Sequence, residues 1–161
     1  METRTRRDSG PLGSEAGTYA LMLRASSEQM IQIGRLGRLH LRPGFYLYVG
    51  SALGPGGLAA RLGRHCRSCH SPHWHIDYLK PSLALQEIWY TRDPERREHQ
   101  WANLFGDMAG ASVPLPRFGA SDCCCDSHLF FFSDRPSIRQ FQLLASKTGA
   151  ASSPIQRSTP P

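Results

Sequence analysis

Two tyrosines, an arginine and a histidine in the first half of the chain are suited to act on a phosphate group. Tyr19 and Tyr48 lie on runs of apolar residues, and Arg61 precedes His65 by four positions, which places both on one face of a helix. A guanidinium stabilises charge on phosphoryl oxygens, and a phenol or imidazole orients or activates water. A phenol has a reference pKa of about 10, so a tyrosine base would need a nearby cation to lower it.

The positive charge of the chain is concentrated around these residues. The formal net charge is +6, and residues 17–76 carry only one acid, Glu28. The seven bases of that segment are Arg24, Arg35, Arg38, Arg42, Arg61, Arg64 and Arg67. A basic segment on a neutral background is typical of a nucleic-acid-binding protein. The phosphate is therefore expected to belong to a nucleic acid.

The hydrophobic pattern predicts alternating strands and helices that position these side chains. Strands are expected at 18–23, 30–36, 45–49, 83–90 and 128–132, and helices at 58–67, 73–79, 94–108 and 137–144. Within the third strand, Tyr46 and Tyr48 should share one face. This order predicts a small α/β sandwich with a central, mainly antiparallel sheet flanked by helices. One domain is expected at 16–145, with a disordered lead (1–15) and tail (146–161).

The tyrosine motifs resemble those of the GIY-YIG nuclease superfamily. Gly17-Thr18-Tyr19 and Tyr48-Val49-Gly50 are followed by a helix carrying Arg61, as in that family. The resemblance implies a divalent-metal-dependent endonuclease acting on DNA. Tyr19, Tyr48, Arg61 and His65 would be catalytic, and Gly17 and Gly50 structural. A non-catalytic DNA-binding module on the same fold is the alternative, since the asparagine that often ends the family's pattern has no assigned counterpart here.

The resemblance also implies one carboxylate, on a later helix, that binds Mg²⁺ or Mn²⁺. Glu95 and Glu98 are the two candidates, and Glu98 is preferred because Trp101 and Leu104 mark an apolar stripe beside it. Glu98 is thus expected to be both catalytic residue and metal ligand.

Two further strings are similar to those of one bacterial and archaeal branch of that superfamily. They cover residues 73–79 and 121–129, and the whole resemblance spans about residues 15–135. Some members of that branch are joined to endonuclease III-type glycosylases, which implies a role in DNA repair or processing and a glycosylase as a possible partner. Additional DNA contacts are expected from Arg35, Arg38, Arg64, Arg67 and His73.

The cysteines permit two interpretations. Cys66 and Cys69 form one pair, and Cys123 and Cys125 lie near His128. These sulfurs would suit zinc, but joining the two pairs requires a close approach of distant segments. Free thiols in a reducing cytoplasm are the simpler interpretation. The sequence therefore favours the absence of zinc and leaves the role of Cys123, Cys125 and His128 open.

No apolar run is long enough to span a bilayer, and a cytoplasmic protein without a membrane partner is expected.

DNA affinity should fall steeply with salt, because each phosphate contact releases counterions. We expect a loss of roughly a thousandfold between about 50 and 200 mM salt. Replacing Arg38 with Ala should reduce the slope of log affinity against log salt by about 1. Lys147→Ala, outside the basic segment, serves as the control, and fluorescence anisotropy with duplex DNA measures both. Salt-independent affinity would contradict a backbone-binding surface.

Overall fold

The computed structural model describes residues 12–67, 71–121, 123–150 and 153–160. Its strands are β1 (Gly17–Ala25), β2 (Gln29–Ile33), β3 (Gly37–Leu41), β4 (Gly44–Ala52), β5 (Ala84–Thr91), β6 (Leu129–Phe132) and β7 (Ile155–Ser158). Its α-helices are α1 (Gly57–His65), α2 (His75–Leu79), α3 (Glu98–Asp107) and α4 (Ile138–Thr148), and a 3₁₀ turn spans Lys80–Ser82. Among the described residues, no helix has both the length and the apolarity needed to cross a bilayer.

The centre of the fold is a five-stranded sheet in the order β6-β4-β1-β5-β7. Every neighbouring pair in it is antiparallel. Strands β2 and β3 form a separate antiparallel hairpin. With helices on both faces, the fold is the small α/β sandwich that the sequence predicts.

Apolar side chains cover both faces of the central sheet, as strand alternation requires. On one face Tyr46 and Tyr48 pack with the apolar residues of α1, α2 and the hairpin. On the other face Trp101, Phe105 and Phe141 join α3 and α4 to the sheet. The prediction that Tyr46 and Tyr48 share a face is confirmed. The first face carries the tyrosine motifs.

The hairpin and the C-terminal region differ from the predictions. The single strand expected at 30–36 ends at Ile33, and β3 follows a tight turn through Gly34, whose φ is 48°. The prediction of a disordered tail from residue 146 is also wrong, because α4 continues to Thr148 and β7 pairs with β5. Its Ser- and Pro-rich composition resembles a linker, yet the free edge of β5 supplies the hydrogen-bonding partners that make a strand.

The lead segment caps the helix of the tyrosine-bearing face. Residues 1–11 of the predicted disordered lead lie outside the described residues. The remainder does not follow the prediction, since the carbonyl oxygens of Gly13 and Glu15 accept hydrogen bonds from the backbone N–H groups of Ala59 and Leu58, each at 2.9 Å. These contacts satisfy N–H groups that the first turn of α1 leaves without helical partners.

Gly17 is required by close packing at the start of β1. A Cβ atom there would overlap the carbonyl oxygen of Thr91 and lie 2.9 Å from Cδ1 of Leu58. Gly17→Ala should therefore destabilise the protein by about 1–3 kcal/mol. At Gly106, in the exposed part of α3, the nearest atom to a new Cβ is 3.4 Å away. Gly106→Ala should be neutral or stabilise by up to about 1 kcal/mol. Urea unfolding of both variants measures the difference, and equal effects would refute the packing argument.

Candidate nucleic-acid cleft

An open, polar cleft of about 350 Å³ lies where β1 begins and β4 ends. The predicted residues that line it are Tyr19, Tyr48, Gly50, Arg61, His73 and Glu98. The lining residues that the sequence reasoning did not assign to the site are Ser51, Trp74, His75, Arg96, Gly119 and Ser121. Both tyrosines, the arginine and the glutamate are thus brought to one cavity from β1, β4, α1 and α3.

The strand register explains the glycine of the Tyr-x-Gly string. Tyr19 on β1 is paired with Gly50 on β4. A Cβ atom at Gly50 would overlap the Tyr19 hydroxyl and lie 2.6 Å from Cζ of that ring. The absent side chain is what allows the Tyr19 ring to lie across the neighbouring strand and reach the cleft.

His65 lies behind Tyr19 and does not line the cleft. Its Nε2 is 2.7 Å from the Tyr19 hydroxyl oxygen, and the ring is buried against Tyr48 and Trp74. Burial, followed by the positive charge of Lys80, lowers the pKa of His65 to about 3. The imidazole is therefore neutral near pH 7. A direct contact of His65 with a phosphate does not fit this position, whereas a role through Tyr19 does.

The two phenols of the cleft are held in their protonated form. Tyr19 is 2% and Tyr48 8% exposed, and burial raises the pKa of each well above its ordinary value. The positive charge of Arg61 acts in the opposite direction on both but does not outweigh burial. The phenolate that a catalytic base requires is not the form that these surroundings favour. Both tyrosines are instead set up as hydrogen-bonding groups.

Trp74 organises the arginines of α1. The guanidinium carbon of Arg61 lies 4.6 Å from the Trp74 ring centroid, and that of Arg64 lies 3.7 Å from it. Arg64 also forms a two-pronged ion pair with the buried carboxylate of Asp77, at 3.0 and 3.3 Å. Burial opposes ionisation of Asp77, yet its hydrogen bonds from Arg64 and from the backbone of Trp74 and His73 hold its pKa at about 2. Arg64, predicted to bind a flanking phosphate, therefore fastens α1 to α2, while Arg61 remains directed at the cleft.

The structure distinguishes the two candidate glutamates. The Glu98 side chain is 13% exposed and lines the cleft, whereas that of Glu95 is 72% exposed and pairs with Arg97 at 3.1 Å. Burial would raise the pKa of Glu98, but the neighbouring His128 imidazole and the Ser51 side chain hold it below its usual value. Oε1 of Glu98 lies 3.1 Å from Nδ1 of His128. Glu98 is thus an ionised carboxylate, a type of ligand that suits Mg²⁺ or Mn²⁺.

The four predicted DNA-binding arginines lie outside the cleft lining, and one of them is Arg64, which pairs with Asp77. Arg35 and Arg38 are exposed, in the turn and on β3 of the hairpin, and exposed Arg67 follows α1, where its Nε donates to the carbonyl oxygen of Gly63. The side chains of Arg35, Arg38 and Arg67 are thus accessible outside the cleft.

A second group of side chains lies next to Glu98. The ligand atoms of His99, Cys123, Cys125 and His128 all lie within 4.8 Å of one another. Sequence reasoning missed His99, because nothing in the string that contains it points to the cysteines 24 residues later. Cys66 lines a different cavity, with His65 and Lys80, and Cys69 lies outside the described residues.

Comparison with known families identifies the chain only at the level of a domain. Residues 18–150 match the family described as Domain of unknown function DUF123, and the chain belongs to that family. No curated protein and no solved structure shows significant similarity to it.

The buried His65 should make stability depend on pH. The unfolded chain binds a proton at His65 below pH of about 6.5, but the folded chain does so only near pH 3. The free energy of unfolding should therefore fall as the pH is lowered from 6.5 to 4.5, by at most about 1.4 kcal/mol per pH unit from this group. His75, whose pKa burial also lowers, adds a slope of the same sign.

Urea unfolding across this pH window tests the effect. His65→Gln should flatten the dependence, leaving the part due to His75 and, towards pH 4.5, the part due to Asp77 and Glu98, whose pKa values are lowered in the folded chain. His75→Gln provides the comparison, because it should remove only the part of the slope that His75 contributes and keep the part due to His65. An unchanged slope in His65→Gln would show that His65 is not the responsible group.

Proposed function

We propose that this DUF123-family protein is a divalent-metal-dependent endonuclease that hydrolyses DNA phosphodiester bonds. The observation that supports this most strongly is the joint presence of Tyr19, Tyr48, Arg61 and Glu98 on one cleft. These are the groups whose order along the chain resembles the GIY-YIG nucleases. The basic segment 17–76, which contains most of these residues, supports a DNA substrate. A DNA substrate in turn implies action in the cytoplasm.

Arg61 is the phosphate-binding group in this proposal. Its guanidinium is held over the face of Trp74, so less of its conformational freedom is lost when a phosphate binds. A guanidinium fixed in this way stabilises charge that develops on the phosphoryl oxygens.

Tyr19 orients the attacking water rather than removing its proton. Burial favours its phenol form, and its oxygen is already hydrogen-bonded to neutral His65. The Nδ1 atom of His65 is buried without a hydrogen-bond partner among the described residues. Since an unpaired N–H is costlier than an unpaired acceptor, the favoured tautomer carries its proton on Nε2 and donates it to Tyr19. The Tyr19 proton is then free to point into the cleft.

Glu98 is the residue that would hold Mg²⁺ or Mn²⁺. Its carboxylate is ionised, and such ions commonly bind one or two carboxylates together with substrate phosphates and water. When bound, the ion would supply positive charge and a more acidic water. Arg96, whose Nε is 3.6 Å from Oε2 of Glu98, adds positive charge at the same end of the cleft.

Recognition of DNA shape is favoured over recognition of sequence. The cleft is bordered by the positive side chains of Arg61 and Arg96, and such contacts to phosphates carry no direct sequence information. We therefore infer a structure-selective enzyme of DNA repair or processing, with a DNA glycosylase as a candidate partner.

A non-catalytic DNA-binding module is the second candidate function. It is favoured by the burial of both phenols, since neither provides a base in the free protein. Such a module would bind DNA through Arg61 and the exposed arginines without cleaving it.

Cleavage of structured DNA separates the two functions. Nicked, branched and flapped duplexes should be incubated with Mn²⁺ or Mg²⁺ and the unaltered protein, Arg61→Ala or Glu98→Gln. We expect either substitution to lower the cleavage rate by roughly 10²- to 10³-fold, because each removes a group that stabilises the transition state. Arg139→Ala, which removes an exposed charge from α4, should cleave normally. Arg61-dependent binding without cleavage of any substrate would identify the module instead.

A further inference from the structure

Two thiols and two imidazoles converge beside the cleft. His99 lies in the first turn of α3, and Cys123 and Cys125 lie in the loop before β6. His128 is the residue that directly precedes β6. Nδ1 of His99 lies 3.2 Å from Sγ of Cys125, and Sγ of Cys123 lies 3.5 Å from Nε2 of His128. Each thiol therefore faces one imidazole.

These separations are close to those of a tetrahedral zinc site. Zinc binds sulfur at about 2.3 Å and imidazole nitrogen at about 2.0–2.1 Å, which separates neighbouring ligand atoms by roughly 3.3–3.8 Å. A nitrogen–sulfur pair in such a tetrahedron is about 3.6 Å apart. The Cys123–His128 pair lies at 3.5 Å and the His99–Cys125 pair at 3.2 Å, and all four ligand atoms lie within 4.8 Å of one another. Small side-chain movements close the remaining distances.

The loop that carries the cysteines is held in shape by Arg117. Its Nη1 donates to the carbonyl oxygens of Cys123 and Cys125, at 2.6 and 3.1 Å, and its Nη2 to that of Ser121 at 3.4 Å. Arg117 itself has a φ of 68°, a strained value for a residue with a side chain. The loop conformation that brings two thiols together is therefore enforced by a dedicated contact. A fixed ligand geometry of this kind favours metal binding.

Cys124 offers an internal contrast. It lies between the two convergent cysteines, but it is exposed and does not belong to the group of four. The convergence is therefore selective and does not follow from the density of cysteine in this loop.

We propose that His99, Cys123, Cys125 and His128 form a structural site for Zn²⁺. Two thiolates and two imidazoles are a soft, nitrogen-containing set that suits zinc and not Mg²⁺ or Mn²⁺. Four protein ligands complete a tetrahedron, so the ion has no open position for substrate. This site is separate from the carboxylate proposed to bind Mg²⁺, and it replaces the expectation of free thiols, which concerned a ligand set with Cys66 and Cys69.

The ion would also fix the cleft carboxylate. His128 presents Nε2 to the thiol side, and its Nδ1 lies 3.1 Å from Oε1 of Glu98, close enough for a hydrogen bond but not aligned for one. A carboxylate on the second nitrogen of a zinc-bound histidine sets the ring orientation and strengthens the ligand. The zinc site and Glu98 therefore support one another across one imidazole ring.

Metal content tests the proposal on the full chain. Untagged protein purified under reducing conditions should carry about one equivalent of zinc, and chelation should lower its melting temperature. Replacing the zinc with Co²⁺ should produce thiolate-to-metal charge-transfer absorption and the intense visible bands of a tetrahedral ion. The absence of both zinc and Co²⁺ binding by the unaltered chain would overturn the proposal, whatever its nuclease activity.

Variants identify the ligands. Cys123→Ser and Cys125→Ser should each lose the stoichiometric ion and weaken the charge-transfer band, whereas Cys124→Ser should retain both. Equal loss in all three would refute the assigned ligand set. If a ligand variant fails to fold, the unaltered chain can be treated with a chelator and then given Zn²⁺ or Mg²⁺. This tests whether its melting temperature depends on zinc. Recovery of the melting temperature should occur with Zn²⁺ alone, and equal recovery with Mg²⁺ would contradict the proposal.

The link to the cleft has its own test. Glu98→Gln should weaken zinc affinity roughly 10- to 100-fold, as loss of an outer-shell partner does. Glu95→Gln removes the same charge three residues away and should leave zinc affinity unchanged. Zinc affinity measured with a competing chelator is independent of cleavage. Unaltered affinity in Glu98→Gln would show that the carboxylate does not support the site.

Discussion

The antiparallel pairing of β1 with β4 is the constraint on which the remaining structure depends. The two strands pair from Gly17 opposite Ala52 to Ala25 opposite Gly44, at the centre of the sheet. A shift by one residue would turn the Tyr19 side of β1 to the opposite face. The same register places the Tyr19 ring over Gly50 and brings Tyr19 to the cleft. Core packing and the candidate site are therefore consequences of one ladder of hydrogen bonds.

Burial gives the cleft its chemical character. Desolvation keeps the phenols protonated and His65 neutral, whereas Asp77 and Glu98 stay ionised because each has compensating partners. A cavity made in this way combines fixed hydrogen-bonding groups with charges of defined position. Such preorganisation is what stabilisation of a reacting phosphate requires.

His128 connects two parts of the molecule that are otherwise distinct. Its ring separates the cysteine loop from Glu98 and contacts both. Trp74, which lines the cleft, has a comparable role for the arginines of α1. In both places an aromatic ring is held by neighbouring structure and in turn positions a charged group in the cleft. The placement of Arg61 and Glu98 thus depends on residues beyond the tyrosine motifs.

Local pattern in the sequence was enough to predict the sandwich, most of its elements and the common face of Tyr46 and Tyr48, because alternation and helical spacing reflect near neighbours in the chain. The grouping of Tyr19, Tyr48 and Arg61 was also foreseeable from their order. By contrast, β7, the use of Arg64 as an anchor and the approach of His99 to Cys125 arise between residues far apart in the chain. Only the tertiary structure decided them, since packing and desolvation, not local preference, determine which distant side chains meet and how they ionise.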